Sequence, residues 1–215
     1  MCGRYVLLSD LSKIERAFEI QETPSSFSCG NNISPGEKVL AVTWEEGKRK
    51  PVILRWGFVP AWSKDLPRGG GFINARAETL TEKASFRQAF YHRRCLIVAD
   101  GFYEWEKIER GRKKPWFFHL RTGKPFALAG LYETWLTPRG EAVDTCTIVT
   151  TRANELISPI HDRMPVIIPR AAYDFWIDPM NRDTGSLEAL LKPYPAGEMM
   201  ARSEFPVLDI FKACS

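Results

Sequence analysis

A chain of 215 residues, 44% hydrophobic and 26% charged, can bury a core without staples, which excludes bulk disorder. Thirty Lys and Arg stand against 26 Asp and Glu, and the resulting net charge of +4 permits a nucleic-acid partner without requiring one. No apolar run approaches a membrane span, and Val6–Leu8 is too short for the apolar stretch of a signal peptide, so no membrane partner and a cytoplasmic setting are expected.

In chain order, residues 4–8 read as a strand. Ser9 or Asp10 can cap a helix over Leu11–Ile20, with Leu11, Ile14 and Phe18 on one face. Val39–Trp44 and Pro51–Trp56 flank a Glu-Glu-Gly-Lys-Arg-Lys segment and predict a hairpin. Residues 57–73 form a loop with Pro60, Pro67 and three glycines at 69–71. A helix is predicted over Glu82–Tyr91. Strands follow at Cys95–Ala99, Trp116–Leu120, Phe126–Thr134, Thr145–Thr150 and Val166–Ile168, all rich in β-branched or aromatic residues. Ala171–Trp176 and Ser186–Leu191 read as helices. Strands outnumber helices and do not alternate with them as βαβ units. The expectation is a single α+β domain over residues 1–215, with a largely antiparallel, barrel-like β core and peripheral helices. The basic run Lys107–Lys114 reads as a solvated hairpin tip.

Cysteines fall at 2, 29, 95, 146 and 214 with no Cys-x-x-Cys spacing, which excludes zinc-ribbon and thioredoxin readings. Cys95 and Cys146 sit in apolar runs and read as core thiols. Cys2 differs, because it directly follows Met1. Removal of Met1 would leave an α-amine and a thiol on one residue. Such a 1,2-aminothiol condenses with an aldehyde to an imine, which the thiol closes to a thiazolidine. With reference pKa values near 8 and 8.5, about a tenth of amines are neutral and a few per cent of thiols ionised at pH 7. A nearby base would improve the pair. A terminal cysteine is equally compatible with no chemistry at all.

Three other segments carry groups suited to that reaction. Glu104 lies between Tyr103 and Trp105, a setting that can desolvate a carboxyl and fit it for general acid–base work; a plain surface glutamate is the alternative. His161 precedes a strand beside Asp162 and Arg163 and can shuttle protons. His119 alternates with apolar neighbours and reads as structural, and His92 as a helix-end residue; three scattered histidines predict no metal site. Asn74 and Arg76 share a face if their segment is extended, an arrangement suited to a sugar or phosphate. The triple glycine lacks the flanking residues of a phosphate loop. Trp62 lies in a loop and can stack on a base.

Together these segments resemble the SOS response-associated peptidase (SRAP) family. The matching pieces, in family order, are Met1-Cys-Gly-Arg4, Trp56-Gly-Phe…Trp62, Asn74-Ala-Arg-Ala-Glu-Thr79, Ser85-Phe-Arg87, Arg94-Cys-Leu-Ile, Ala99-Asp-Gly-Phe-Tyr-Glu-Trp105, Thr150-Thr151…Asn154 and His161-Asp-Arg-Met-Pro165. The resemblance implies a thiazolidine crosslink between Cys2 and the ring-opened aldehyde of an abasic site in single-stranded DNA. It implies that Asn74 holds the sugar, Glu104 shuttles protons, and His161 assists ring opening and reversal. Arg4, Arg76, Arg87, Arg163 and Met164 would contact DNA, and Trp62 would stack. A monomer without cofactor or metal is expected. Two other activities remain open on the same residues. One is a thiol peptidase with Cys2, His161 and Glu104 as nucleophile, base and orienter. The other is a non-covalent single-strand binder.

Overall fold

The computed structural model describes residues 2–21, 24 and 30–203. Its strands are β1 (Tyr5–Leu7), β2 (Gly30–Ile33), β3 (Lys38–Glu45), β4 (Lys48–Trp56), β5 (Asn74–Arg76), β6 (Arg94–Ala99), β7 (Gly101–Lys107), β8 (Lys113–Leu120), β9 (Phe126–Leu136), β10 (Ala142–Arg152), β11 (Arg163–Pro165), β12 (Ile167–Ile168) and β13 (Met199–Arg202). The α-helices are α1 (Leu11–Phe18), α2 (Ala84–His92), α3 (Tyr173–Ile177) and α4 (Thr184–Ala189).

Five strands close on themselves in the order β10-β4-β3-β6-β9 and back to β10. The closing pair β4–β10 is parallel, with Thr145 opposite Arg55; the other four pairs are antiparallel. Closure removes the edges that would otherwise template pairing with another chain. Val39–Val42 and Arg94–Ala99 are buried throughout, as strands covered on both faces require. Glu46 and Gly47 join β3 to β4 with φ of 50° and 80°, the two positive values of a tight hairpin turn. The second sheet, β13-β8-β7-β1-β2, is antiparallel. The predicted α+β class with a largely antiparallel, barrel-like core is what the chain adopts. Among the described residues no helix is long and apolar enough to cross a membrane.

Two features of this frame set up the site. The first pins the N-terminal segment to β7. Tyr5 lies opposite Phe102, and the Tyr103 amide donates to the Arg4 carbonyl at 3.0 Å. The Asp100 carboxylate accepts from the Leu8 and Ser9 amides, both at 2.6 Å. Continuing this register toward the N-terminus brings Gly3 opposite Glu104.

The second docks the helices. Arg94 is buried and donates to the carbonyls of Phe90 and Tyr91 at the end of α2 and of Trp176 and Asp178 at the end of α3. Burial lowers its pKa to about 10, so it stays charged at neutral pH. A buried carbonyl stripped of its donor costs about 1–3 kcal/mol. Arg94→Met removes that donor from the Phe90, Trp176 and Asp178 carbonyls, while Tyr91 keeps Arg182 Nη1 at 3.1 Å. We expect a loss of about 3 kcal/mol, or a Tm lower by about 6–12 °C, measured by thermal unfolding.

Candidate active site

Four separate segments bring Cys2, Asn74, Glu104 and His161 together. Cys2 is 0% exposed. Its carbonyl accepts from Asn74 Nδ2 at 2.9 Å, and its Sγ lies 4.0 Å from the Arg4 carbonyl oxygen. Asn74 is delivered by β5, a short strand held parallel to β10. Ala75 turns into the core, so Asn74 and Arg76 share the other face, as the extended reading predicted. Asn74 Oδ1 is buried and has no protein partner among the described residues.

Glu104 sits in the middle of β7 and is only 2% exposed. Burial pushes its carboxyl above the ordinary carboxylate range, and Asp162 adds to this while His161 opposes it. The sequence ascribed this dry setting to Tyr103 and Trp105. That ascription is corrected, because neighbours along a strand point to opposite faces. Tyr103 and Trp105 pack on the far side, ring centroids 6.3 Å apart, with Phe117 at 5.3 Å from Tyr103. The thiol of Cys2 is likewise pushed well above its usual value, first by burial and then by the charge of Glu104.

His161 comes from the segment before β11. Asn154 folds that segment, its Oδ1 accepting from the Leu156 and Ile157 amides and its Nδ2 donating to the Tyr194 carbonyl. His161 Nδ1 accepts from the Arg163 amide at 2.9 Å, which leaves the proton of the neutral ring on Nε2. Nε2 lies 4.0 Å from Glu104 Oε2. Asp162 Oδ1 stands 3.0 Å from Nδ1, a contact that becomes attractive once the ring is protonated. A thiol, an amide, a carboxyl and an imidazole therefore meet where the N-terminal segment and β7 of the second sheet approach β5 and the segment before β11.

Over residues 1–204 the sequence matches the family described as SOS response associated peptidase (SRAP). The chain belongs to this family. Among SRAP relatives, the abasic site processing protein YoqW of Bacillus subtilis is 42% identical over 203 residues, 94% of this chain and 91% of that protein. The abasic site processing protein YedK of Escherichia coli is 32% identical over 146 residues, 68% of this chain and 63% of that protein. A crystal structure of a protein from Bacteroides thetaiotaomicron shares the fold, with a TM-score of 0.85 at 24% identity over 95% of this chain and 93% of that one.

The outer SRAP positions fall into three groups. Trp62 is 69% exposed on the loop after β4. Trp135 Nε1 donates to the Ser63 carbonyl at 2.7 Å and ties that loop to β9. Arg76 and Arg87 are exposed, on β5 and α2. Arg163 is engaged inside the protein, with its guanidinium making two bonds to the Glu78 carboxylate at 2.7 and 2.9 Å and a third to the Thr150 carbonyl. Met164 is 0% exposed and belongs to the core. Its side chain is thus no surface contact for DNA, because strand alternation turns it inward beside Arg163. The partly buried Arg4 donates to its neighbour's carbonyl, that of Gly3.

The remaining motifs are structural. His119 stacks on Phe117 and its Nδ1 faces the Leu120 carbonyl. His92 ends α2, but burial and Arg182 lower its pKa, so it does not serve there as a cation. The glycines at 70 and 71 allow close backbone packing: Arg55 Nη1 donates to Gly70 O, and a Cβ at Gly71 would lie 2.5 Å from Gly57 O. Cys95 and Cys146 are buried in the core, while Cys29 and Cys214 lie outside the described residues.

Proposed function

We propose that this chain processes abasic sites in single-stranded DNA by bonding covalently to them through Cys2, after Met1 is removed. The observation that carries the proposal is the meeting of Cys2 with Asn74 at 2.9 Å and with a buried Glu104 whose charge acts on the thiol. The ring-opened abasic sugar presents an aldehyde. The α-amine adds to its carbon, and the carbonyl oxygen leaves as water with two protons, giving a protonated imine once one further proton is supplied. Cys2 Sγ then bonds to the same carbon, the C=N electrons return to nitrogen, and the thiol proton is lost. The net change is loss of one water.

The imine must form before sulfur can close the ring, and burial with the charge of Glu104 raises the thiol pKa. The sulfur arrives protonated, so attack requires a nearby acceptor for its proton. Glu104 is that acceptor, and earlier it can donate to the departing oxygen. His161, on the solvent side of Glu104, exchanges protons with it and assists ring opening and reversal. Asn74 Oδ1 is available to accept from a hydroxyl of the opened sugar. A thiol peptidase on the same residues would turn over peptide bonds and leave no stoichiometric adduct with DNA, so one incubation separates the two readings. Incubation with an abasic oligonucleotide, followed by denaturing electrophoresis, tests the proposal; no adduct at any pH would sink it.

The proposed partner is the DNA strand, with Trp62 stacked on an unpaired base and arginines on phosphates. For a single strand each lost phosphate contact flattens the log–log salt dependence by about 0.7. Arg76→Ala and Arg87→Ala should each do so in titrations of an intact strand. Arg163 must first release Glu78, whose pKa it lowers. Glu78→Gln should therefore tighten binding, and only where Arg163 is intact. Equal affinity with and without Glu78 would leave Arg163 a structural residue.

A further inference from the structure

The two aromatic residues beside Glu104 in the chain do not shelter it, so its dry setting needs another source. Cross-strand pairing supplies one. On the antiparallel β7–β8 pair, Glu104 lies directly opposite Trp116, and Glu106 opposite Lys114. Residues paired in this way project from the same face with Cβ atoms about 5 Å apart. Trp116 is half-buried and packs against the core. Its Nε1 donates to Glu106 Oε2 at 2.8 Å, and Lys114 Nζ lies 4.7 Å from the centre of its ring. The ring is thus held from two sides, by an acceptor on β7 and a cation on its own strand.

We propose that Trp116 is a positioning residue for the crosslinking reaction, forming the wall that keeps water from Glu104 on the side of the β7–β8 hairpin tip. The proposal rests on the reading of Glu104 as proton shuttle. The Glu106–Trp116–Lys114 cluster then serves to fix one orientation of the indole. Without the hydrogen bond to Glu106, the ring can swing toward solvent and open a path to the carboxyl. Part of what the basic hairpin contributes is then Lys114, a clamp on that ring.

The charged and titratable groups that share a face or corner with Glu104 are Cys2 on the N-terminal segment, with its α-amine once Met1 is gone, His161 and Asp162 before β11, Lys114 on β8, and Glu106 on β7 itself. Changing Trp116 removes none of these charges but frees Glu106 and Lys114 from the ring, so Glu106→Gln serves as the control for charge alone. The side-chain carboxyl carbon of Glu104, assigned by its loss in Glu104→Gln, can be titrated by carbon NMR in the full chain. Trp116→Ala should bring the Glu104 midpoint down toward the ordinary carboxylate range by about one pH unit or more, since water replaces an apolar wall. The low-pH limb of the crosslinking rate should move with it. Trp116→Phe keeps an apolar ring but not the bond to Glu106, and should shift the midpoint in the same direction by less. Glu106→Gln removes the charge but keeps an acceptor for the indole, and Glu106→Ala should lower the midpoint beyond the Glu106→Gln value.

An unmoved Glu104 midpoint in Trp116→Ala would overturn the proposal, whatever happens to stability. Should that variant fail to fold, an unmoved midpoint in Trp116→Phe together with equal midpoints in Glu106→Ala and Glu106→Gln would overturn it instead. Failure of the underlying reading looks different: Glu104→Gln would crosslink at the wild-type rate while the midpoints still reported on Trp116.

Discussion

Cys2→Ala should give no adduct that survives denaturing electrophoresis with abasic single-stranded DNA, where the wild-type protein should convert most of the strand. The expected effect is a complete loss, because the second covalent bond in the ring is the one to sulfur. The variant still carries an α-amine, so imine formation remains possible. Borohydride reduces an imine to a stable amine. Added during the reaction, it should restore a denaturation-resistant band to Cys2→Ala. That pairing of results separates the two halves of the aminothiol: the amine makes first contact, and the thiol makes it last. Mass spectrometry of the active protein should find Cys2 as the first residue. Full activity in protein that retains Met1 would contradict the mechanism, as would an unreduced adduct from Cys2→Ala.

The second large effect is expected at Glu104. Glu104→Gln preserves shape and hydrogen bonding but cannot accept the thiol proton. General acid–base help is worth about 100- to 10,000-fold. Abasic sugars open spontaneously and aminothiols react with aldehydes unaided, so a loss of about 100-fold is expected in the rate of adduct formation. The sign of the pH dependence follows from the raised carboxyl pKa. Glu104 turns into a base only as pH climbs through a value above the ordinary carboxylate range. The wild-type rate should rise there, and Glu104→Gln should lose that portion of the rise while keeping the portion due to the amine. His161→Ala should act more strongly on release, measured by moving preformed adduct into excess competitor DNA. Wild-type formation and release in His161→Ala would remove the histidine from the mechanism.

Much of the frame was legible because it rests on local pattern. The β3–β4 hairpin, a cap at Ser9 or Asp10 (Asp10 in the structure), and the apolar strands β6, β9 and β10 follow from residue chemistry over a few positions. The hairpin strands nevertheless run on to a two-residue turn at Glu46-Gly47, where the sequence predicts a six-residue connection. Helix α1 ends two residues earlier than its apolar spacing suggests, because Glu19 adopts a left-handed conformation; Leu11, expected on the buried face, is half in solvent. The unread strands β2 and β13 have little alternation of their own, reading Gly-Asn-Asn-Ile and Met-Met-Ala-Arg. They exist through pairing with β1 and β8, which no short window can reveal.

The site was legible as a set of residue types and as a family pattern, but not as contacts. Nothing near Arg163 in the chain announces Glu78, since the two are joined only when β11 and the segment after β5 meet on β10. Met164 failed as a DNA contact for a simpler reason: an alternation that could have been counted from Arg163 turns it inward. The same counting along β7 separates Glu104 from its aromatic neighbours and directs attention to the facing strand.

The pinning of β1 between β2 and β7 has a mechanical side. If the DNA is attached at Cys2, tension on the strand is delivered to the N-terminal end of β1, and its component along β1 loads the flanking ladders. Hydrogen bonds perpendicular to a pull are loaded together in shear, whereas those at a peeled edge fail one after another. The ladders to Phe102 and Ile33, backed by the Asp100 grip on Leu8 and Ser9, would share such a load. A polymerase or helicase arriving at the adduct would meet an anchorage inside a sheet rather than a tether at a loose terminus.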